Sequence, residues 1–154
     1  MNFYNGFTPN QRLKALAWLK RQYAAGTRTP PSSCDACGQT DGVIEPHDED
    51  YSEPYGDHTG SIGVCYRCHM MIHCRFKNPD GWKQYRAAVR RGLRFEALRT
   101  RAFWKFCQQL RGVSVPVTQH EPPKVAVLDL IEAGYYVRHL NADKVRQSPE
   151  RLVG

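Results

Sequence analysis

Long apolar runs are missing from this chain. Nothing in it comes near the about eighteen consecutive apolar residues of a membrane-spanning helix, and the stretch from Met1 to Phe7 lacks the basic-then-apolar order of a secretory signal. The expectation is therefore a cytoplasmic, intracellular protein with no membrane partner. Acid is in short supply too: 15 Asp and Glu stand against 22 Lys and Arg, a formal charge of +7. That balance favours an anionic partner, with nucleic acid first among them, because uncompensated positive charge repels itself in a compact fold. There is no internal repeat and no low-complexity tract. At 154 residues and 41% hydrophobic content, one modest domain with extensions and a small core is the expectation.

Cysteine is the exception to this scarcity. Six are present, and in a reducing compartment they are better explained as metal ligands than as disulfides. Four fall in two Cys-x-x-Cys knuckles, Cys34-Asp35-Ala36-Cys37 and Cys65-Tyr66-Arg67-Cys68. Paired thiolates from two distant segments suit a tetrahedral structural zinc site. The second knuckle runs directly into His69 and His73, whose spacing puts both imidazoles on one helix face, where they can share a second divalent ion. Cys74 has no knuckle partner and reads as a small buried residue.

Along the chain, Thr8-Pro9-Asn10-Gln11 is a helix start: an N-cap, proline at the first helical position, and Gln11 where a capping box wants it. The helix should run to about Ala25, with Leu13, Leu16, Ala17, Leu19 and Tyr23 on its apolar side and Gly26 ending it. Pro30 and Pro31 mark a linker. Thr40, Val43 and Ile44 lead as a short strand to His47, an acidic, aromatic loop follows from Asp48 to Ser61, and Ile62 to Val64 gives a second strand before the histidine-bearing helix. Pro79 opens another helix carrying Trp82, Tyr85 and Val89, and a further helix is expected from about Leu93 to Leu110. Val113 to Lys124 reads as a linker, Val125 to Ala133 as a short apolar helix, and Tyr135 to Gln147 as a hairpin that could dock a protein partner. The divisions are 1–30 for the N-terminal helix and linker, 31–78 for the zinc-stapled core, 79–112 for a basic helical extension, and 113–154 for the C-terminal helix and hairpin. The fold class is α+β.

The block from Cys34 to His73 resembles the zinc-stapled HNH family of ββα-metal endonucleases, and within it the small phage and prophage proteins. The resemblance rests on the two knuckles bracketing a histidine, on Cys68-His69, and on Glu49-Asp50-Tyr51-Ser52 with Pro54. It implies a zinc at Cys34, Cys37, Cys65 and Cys68, and a second ion (Mg2+, Mn2+, Ni2+ or Zn2+) on His69 and His73. His47 would stand at the end of the first strand, beside the scissile phosphate of DNA. Relatives end that strand with a metal ligand followed by a basic histidine, whereas here the order is Pro46-His47-Asp48. Either His47 is the general base and Pro46 fills the ligand slot, or His47 is the ligand and Asp48 occupies the base position. In the second register an exposed carboxylate near its ordinary pKa of about 4 would be a feeble base. His58 is a possible substitute from the loop. Arg75, Lys77, Arg86, Arg90, Arg91 and Arg94 are the expected DNA contacts, and between Trp82 and Arg111 the basic residues are opposed only by Glu96. The alternative is a degenerate HNH-fold zinc module that binds DNA or protein without cleaving.

Overall fold

The computed structural model describes residues 1–101, 104, 106, 107 and 115–135. Its architecture is α+β, with two small antiparallel sheets and four helices among the described residues. No helix there is long and apolar enough to cross a membrane. The expected hairpin from Tyr135 to Gln147 lies outside the described residues apart from Tyr135 itself.

Helix α1 spans Pro9–Ala24, and its start is the predicted capping box: Thr8 accepts from the Gln11 amide while the Gln11 side chain accepts from the Thr8 amide. Its inward face differs from the expectation. Ala15 and Leu19 are buried together with Arg12, whereas Leu13 is half exposed. The reason is aromatic: the Arg12 guanidinium lies 5.2 Å from the ring centres of both Tyr4 and Tyr51, and it donates to the Asn2 carbonyl. A cation on two ring faces is a favourable buried arrangement.

Strands β1 (Ile44–His47) and β2 (Ile62–Cys65) pair antiparallel, with Glu45 opposite Val64 and His47 opposite Ile62. Every residue of β2 is buried. Helix α2 (Tyr66–Cys74) follows β2 without a loop and turns Cys68, Met71 and Ile72 into the core. That i, i+3, i+4 stripe leaves His69 and His73 on the adjacent face. Strand, loop, strand and helix thus occur in the expected order.

Helix α3 (Pro79–Arg90) is capped by Asn78, which accepts from Gly81, and buries Trp82, Tyr85 and Val89. Past it the structure departs from the sequence reading. Leu93–Phe95 is not helical but forms β3, paired antiparallel with β4 (Val117–Gln119), a segment expected to be linker. Gly92 explains the break. Its φ is +89°, and a Cβ there would stand 2.2 Å from the His120 carbonyl oxygen, so glycine lets β4 approach and cross-strand pairing overrides local helix preference. Helix α4 (Val127–Glu132) buries Val127, Leu128, Leu130 and Ile131, and Gly134, at φ +74°, follows it as expected. Trp82 donates its indole N–H to Glu132, which ties α4 to α3.

Residues 96–101 run without regular structure alongside β1. Leu98 is buried, and its carbonyl accepts from the Val43 amide at 2.8 Å. Gly42, at φ +77°, permits this approach, because a Cβ there would lie 2.5 Å from the Leu98 oxygen. Gly42→Ala is expected to destabilise the protein by about 1–3 kcal/mol, from backbone strain and displacement of this segment. Denaturant titration measures it, and an unchanged midpoint would contradict the close approach.

Candidate metal centres

The four knuckle cysteines come together, with one Sγ from each lying within 4.8 Å of all the others. Local backbone chemistry explains how. Gly38, at φ +79°, closes the first knuckle, and its amide donates to the Cys34 carbonyl while the Cys37 amide points at Cys34 Sγ, 3.4 Å away. Asp35 exchanges hydrogen bonds with Gly63, amide to carbonyl at 2.7 Å and amide to carboxylate at 2.8 Å, which staples the knuckle to β2. Cys65 ends β2 and Cys68 lies in the first turn of α2.

The donor set fits a thiophilic divalent ion. Burial opposes ionisation of Cys34, but hydrogen bonds from the Cys37, Cys65 and Cys68 thiols draw it well below the usual thiol range; those same contacts hold Cys65 and Cys68 well above it. Negative charge on Cys34 thus opposes ionisation of Cys65 and Cys68. A cation is what permits four. Tyr85 places its hydroxyl 3.2 Å from Cys68 Sγ, and Arg94 donates from Nε to the Cys37 carbonyl at 3.0 Å.

A second cluster lies on the adjacent face of α2. His47, His69 and His73 each bring a ring nitrogen within 4.8 Å of the other two. His69 Nε2 and His73 Nε2 are 3.0 Å apart. Two nitrogens on one tetrahedral ion lie about 3.3 Å apart when each bond is roughly 2.0–2.1 Å. The outer nitrogens are already engaged. His47 Nε2 meets Glu49 Oε1 at 2.6 Å, and His69 Nδ1 meets Glu45 Oε2 at 2.6 Å. Carboxylates behind ligating histidines set their tautomer and ring orientation, leaving the inner lone pair for a metal. For His47 that inner atom is Nδ1, which is fully buried and has no hydrogen-bond partner among the described residues. Buried polar atoms are seldom left so.

Burial pushes two of the three imidazoles, His47 and His73, toward the neutral form. Burial lowers the pKa of His47 despite Glu49, and burial together with His47 and His69 lowers that of His73 to about 2. Neutral imidazole is the form that binds metal. The supporting carboxylates are ionised: the hydrogen bond from His69, aided by Arg101, holds Glu45 at about 2 against desolvation. Burial works against Glu49 as well, yet His47, Arg75 and Tyr4 bring it to about 2. Glu45→Gln is expected to weaken metal binding at the histidine cluster by about 10–100-fold. Competition with a chromophoric chelator measures this, and wild-type affinity would contradict the orienting role.

Asp48 is not the exposed carboxylate of the sequence reading. It is buried, accepts from the Gly60 and Ser61 amides, and burial pushes its pKa up to about 7. His58 binds the Ser52 carbonyl at 3.0 Å, within its own loop. Several expected DNA contacts face inward or are paired. Arg75 is buried on Glu49 (2.9 Å) and on the Tyr4 hydroxyl, Arg86 and Arg90 both bind Asp129 at 2.8 Å, and Arg94 supports the first knuckle. Asp129 is thus a counter-charge that local sequence did not reveal. Lys77 and Arg91 remain exposed.

Sequence reasoning missed Glu45, Glu49 and Tyr4. For Glu45 the signal was there: Glu45-x-His47 alternates at the period of a strand, which puts both on one side of β1, with Glu49 two residues past its end. Tyr4 carried none, since only the folded N-terminus brings its hydroxyl onto Glu49 and its ring 4.4 Å from that of His73. Compared with protein-family models, with curated proteins and with solved structures, the chain gives no significant match.

Proposed function

We propose that this chain is a metal-dependent endonuclease of the HNH type, hydrolysing DNA phosphodiester bonds, with zinc on the four cysteines as a structural staple. The carrying observation is the convergence of His47, His69 and His73, with two of them backed by carboxylates and the buried Nδ1 of His47 unpartnered. His47 then belongs to the ligand register of the strand-end doublet. A divalent ion held there supplies Lewis-acid stabilisation of charge on phosphoryl oxygens. The chain's own residues do the rest. Glu45 and Glu49 fix the two rings, Arg75 and Tyr4 hold Glu49 in place, and the exposed cations Lys77, Arg91, Arg99 and Arg101 attract the phosphate backbone.

Asp48 falls in the base position in this register, and its commitment to the Gly60 and Ser61 amides favours a second reading: a zinc-stabilised binding module of the same fold that has lost its base. Supercoiled plasmid incubated with zinc-loaded protein and magnesium, manganese, nickel or zinc separates the two. The nuclease reading predicts relaxed or linear product with wild type and none with His47→Ala. Intact plasmid with every metal, alongside DNA binding, selects the binding module.

A further inference from the structure

Glu45 has two partners. One carboxylate oxygen takes His69 Nδ1, and the other takes Nε of Arg101, a residue of the irregular 96–101 segment. The two ends of this relay differ in exposure: the side chain of His69 is 16% exposed and that of Glu45 13%, but that of Arg101 is 72% exposed. With Nε spent on Glu45, the guanidinium is oriented at the rim of the histidine cluster, and its two terminal nitrogens make no hydrogen bond to another described residue. The position is built. Leu98 is buried, the Leu98 carbonyl accepts from Val43, and Gly42 lets the segment lie against the start of β1.

We infer that Arg101 is a substrate-positioning residue, taking a backbone phosphate of DNA on its free guanidinium edge beside the histidine centre. This deepens the nuclease reading and rests on it for the identity of the substrate. Guanidinium is suited to the task because its fork matches two phosphate oxygens, and the anchoring bond to Glu45 removes part of the ordering cost. Like Arg75, Arg86 and Arg90, Arg101 faces a protein carboxylate, but it is the most exposed of the four, at 72% against 57% for Arg90 and 18% for Arg86, and it engages its carboxylate through Nε. Glu45 links the two halves of the site, so the phosphate contact and the orientation of His69 share one carboxylate.

The test is binding of a short fluorescent DNA duplex to zinc-loaded chain with no further divalent ion added, by anisotropy over a series of salt concentrations. Each phosphate neutralised contributes about 0.9 to the slope of log affinity against log salt. Arg101→Ala and Arg101→Gln should each reduce that slope by about one relative to wild type, with unchanged melting temperature, and Arg101→Lys should restore the slope. A purely structural residue would not move the slope in this charge-dependent way. Equal slopes and affinities for wild type and both neutral variants overturn the inference, as does a wild type that does not bind the duplex. Plasmid cleavage by wild type, scored separately, keeps the two readings apart. A slope change without cleavage leaves the Arg101 contact standing and sinks the nuclease reading, whereas cleavage with equal slopes does the reverse.

Discussion

Cys68→Ser is expected to abolish the cooperative fold. Cys68 is fully buried between the first knuckle and Tyr85, and with Cys65 it joins β2 and α2 to the chain around Gly38. Four-cysteine zinc sites contribute apparent free energies of about 10–16 kcal/mol. Small domains have a net stability of about 5–15 kcal/mol, so losing a large share of that contribution exceeds what the rest of the molecule supplies. Cys34, Cys65 and Cys68 belong to the same buried cluster as Ile62, Val64, Met71 and Ile72, so the thiolates sit in the core itself. Circular dichroism should show the variant without a sigmoidal melt, and the wild type losing its own on treatment with a strong chelator. A variant that melts cooperatively at the wild-type temperature, indifferent to zinc, would show that the cysteines are not the staple.

His69→Ala is expected to remove DNA cleavage while leaving fold and DNA affinity nearly intact. Lewis-acid stabilisation is worth several kcal/mol, and each 1.4 kcal/mol is a factor of ten, so the loss should be roughly a thousandfold or more. The fold should survive because His69 lies beside, not within, the buried stripe of α2. Glu45 keeps Arg101 as its partner, so the rim charge stays where it was. Single-turnover cleavage and anisotropy on the same preparations read both quantities. Equal losses of cleavage and affinity would mean that His69 serves DNA binding or the fold, not a metal.

The legible parts of this molecule were those set by local chemistry. The capping box at Thr8, proline at the start of α3, glycine after α4 and the four-cysteine spacing each follow from one short stretch, and the structure reproduces them. The order of strand, loop, strand and helix was also readable, while the antiparallel pairing of β1 with β2 and the helix start at Tyr66, two residues before Cys68, came only with the fold. What escaped depended on distant partners. Leu93–Phe95 carries no strong strand pattern, and its state is decided by Val117–Gln119, more than twenty residues away. Arg75 sits in a basic stretch and looks like a nucleic-acid contact until Tyr4 and Glu49 arrive from elsewhere in the chain. Asp48 looked exposed because its loop is polar, yet the turn at Gly60 folds over it. Charge read along a sequence does not reveal which charges are already answered.

The proposed nuclease chemistry depends on a second metal ion held by His47, His69 and His73. Equilibrium dialysis of nickel against protein with zinc already on the cysteines tests it most directly. One further ion per chain in wild type, and none in His47→Ala, His69→Ala or His73→Ala at the same free nickel concentration, is the predicted result. Wild type that takes up no further ion, or takes it up undiminished when any of the three histidines is removed, would contradict the claim.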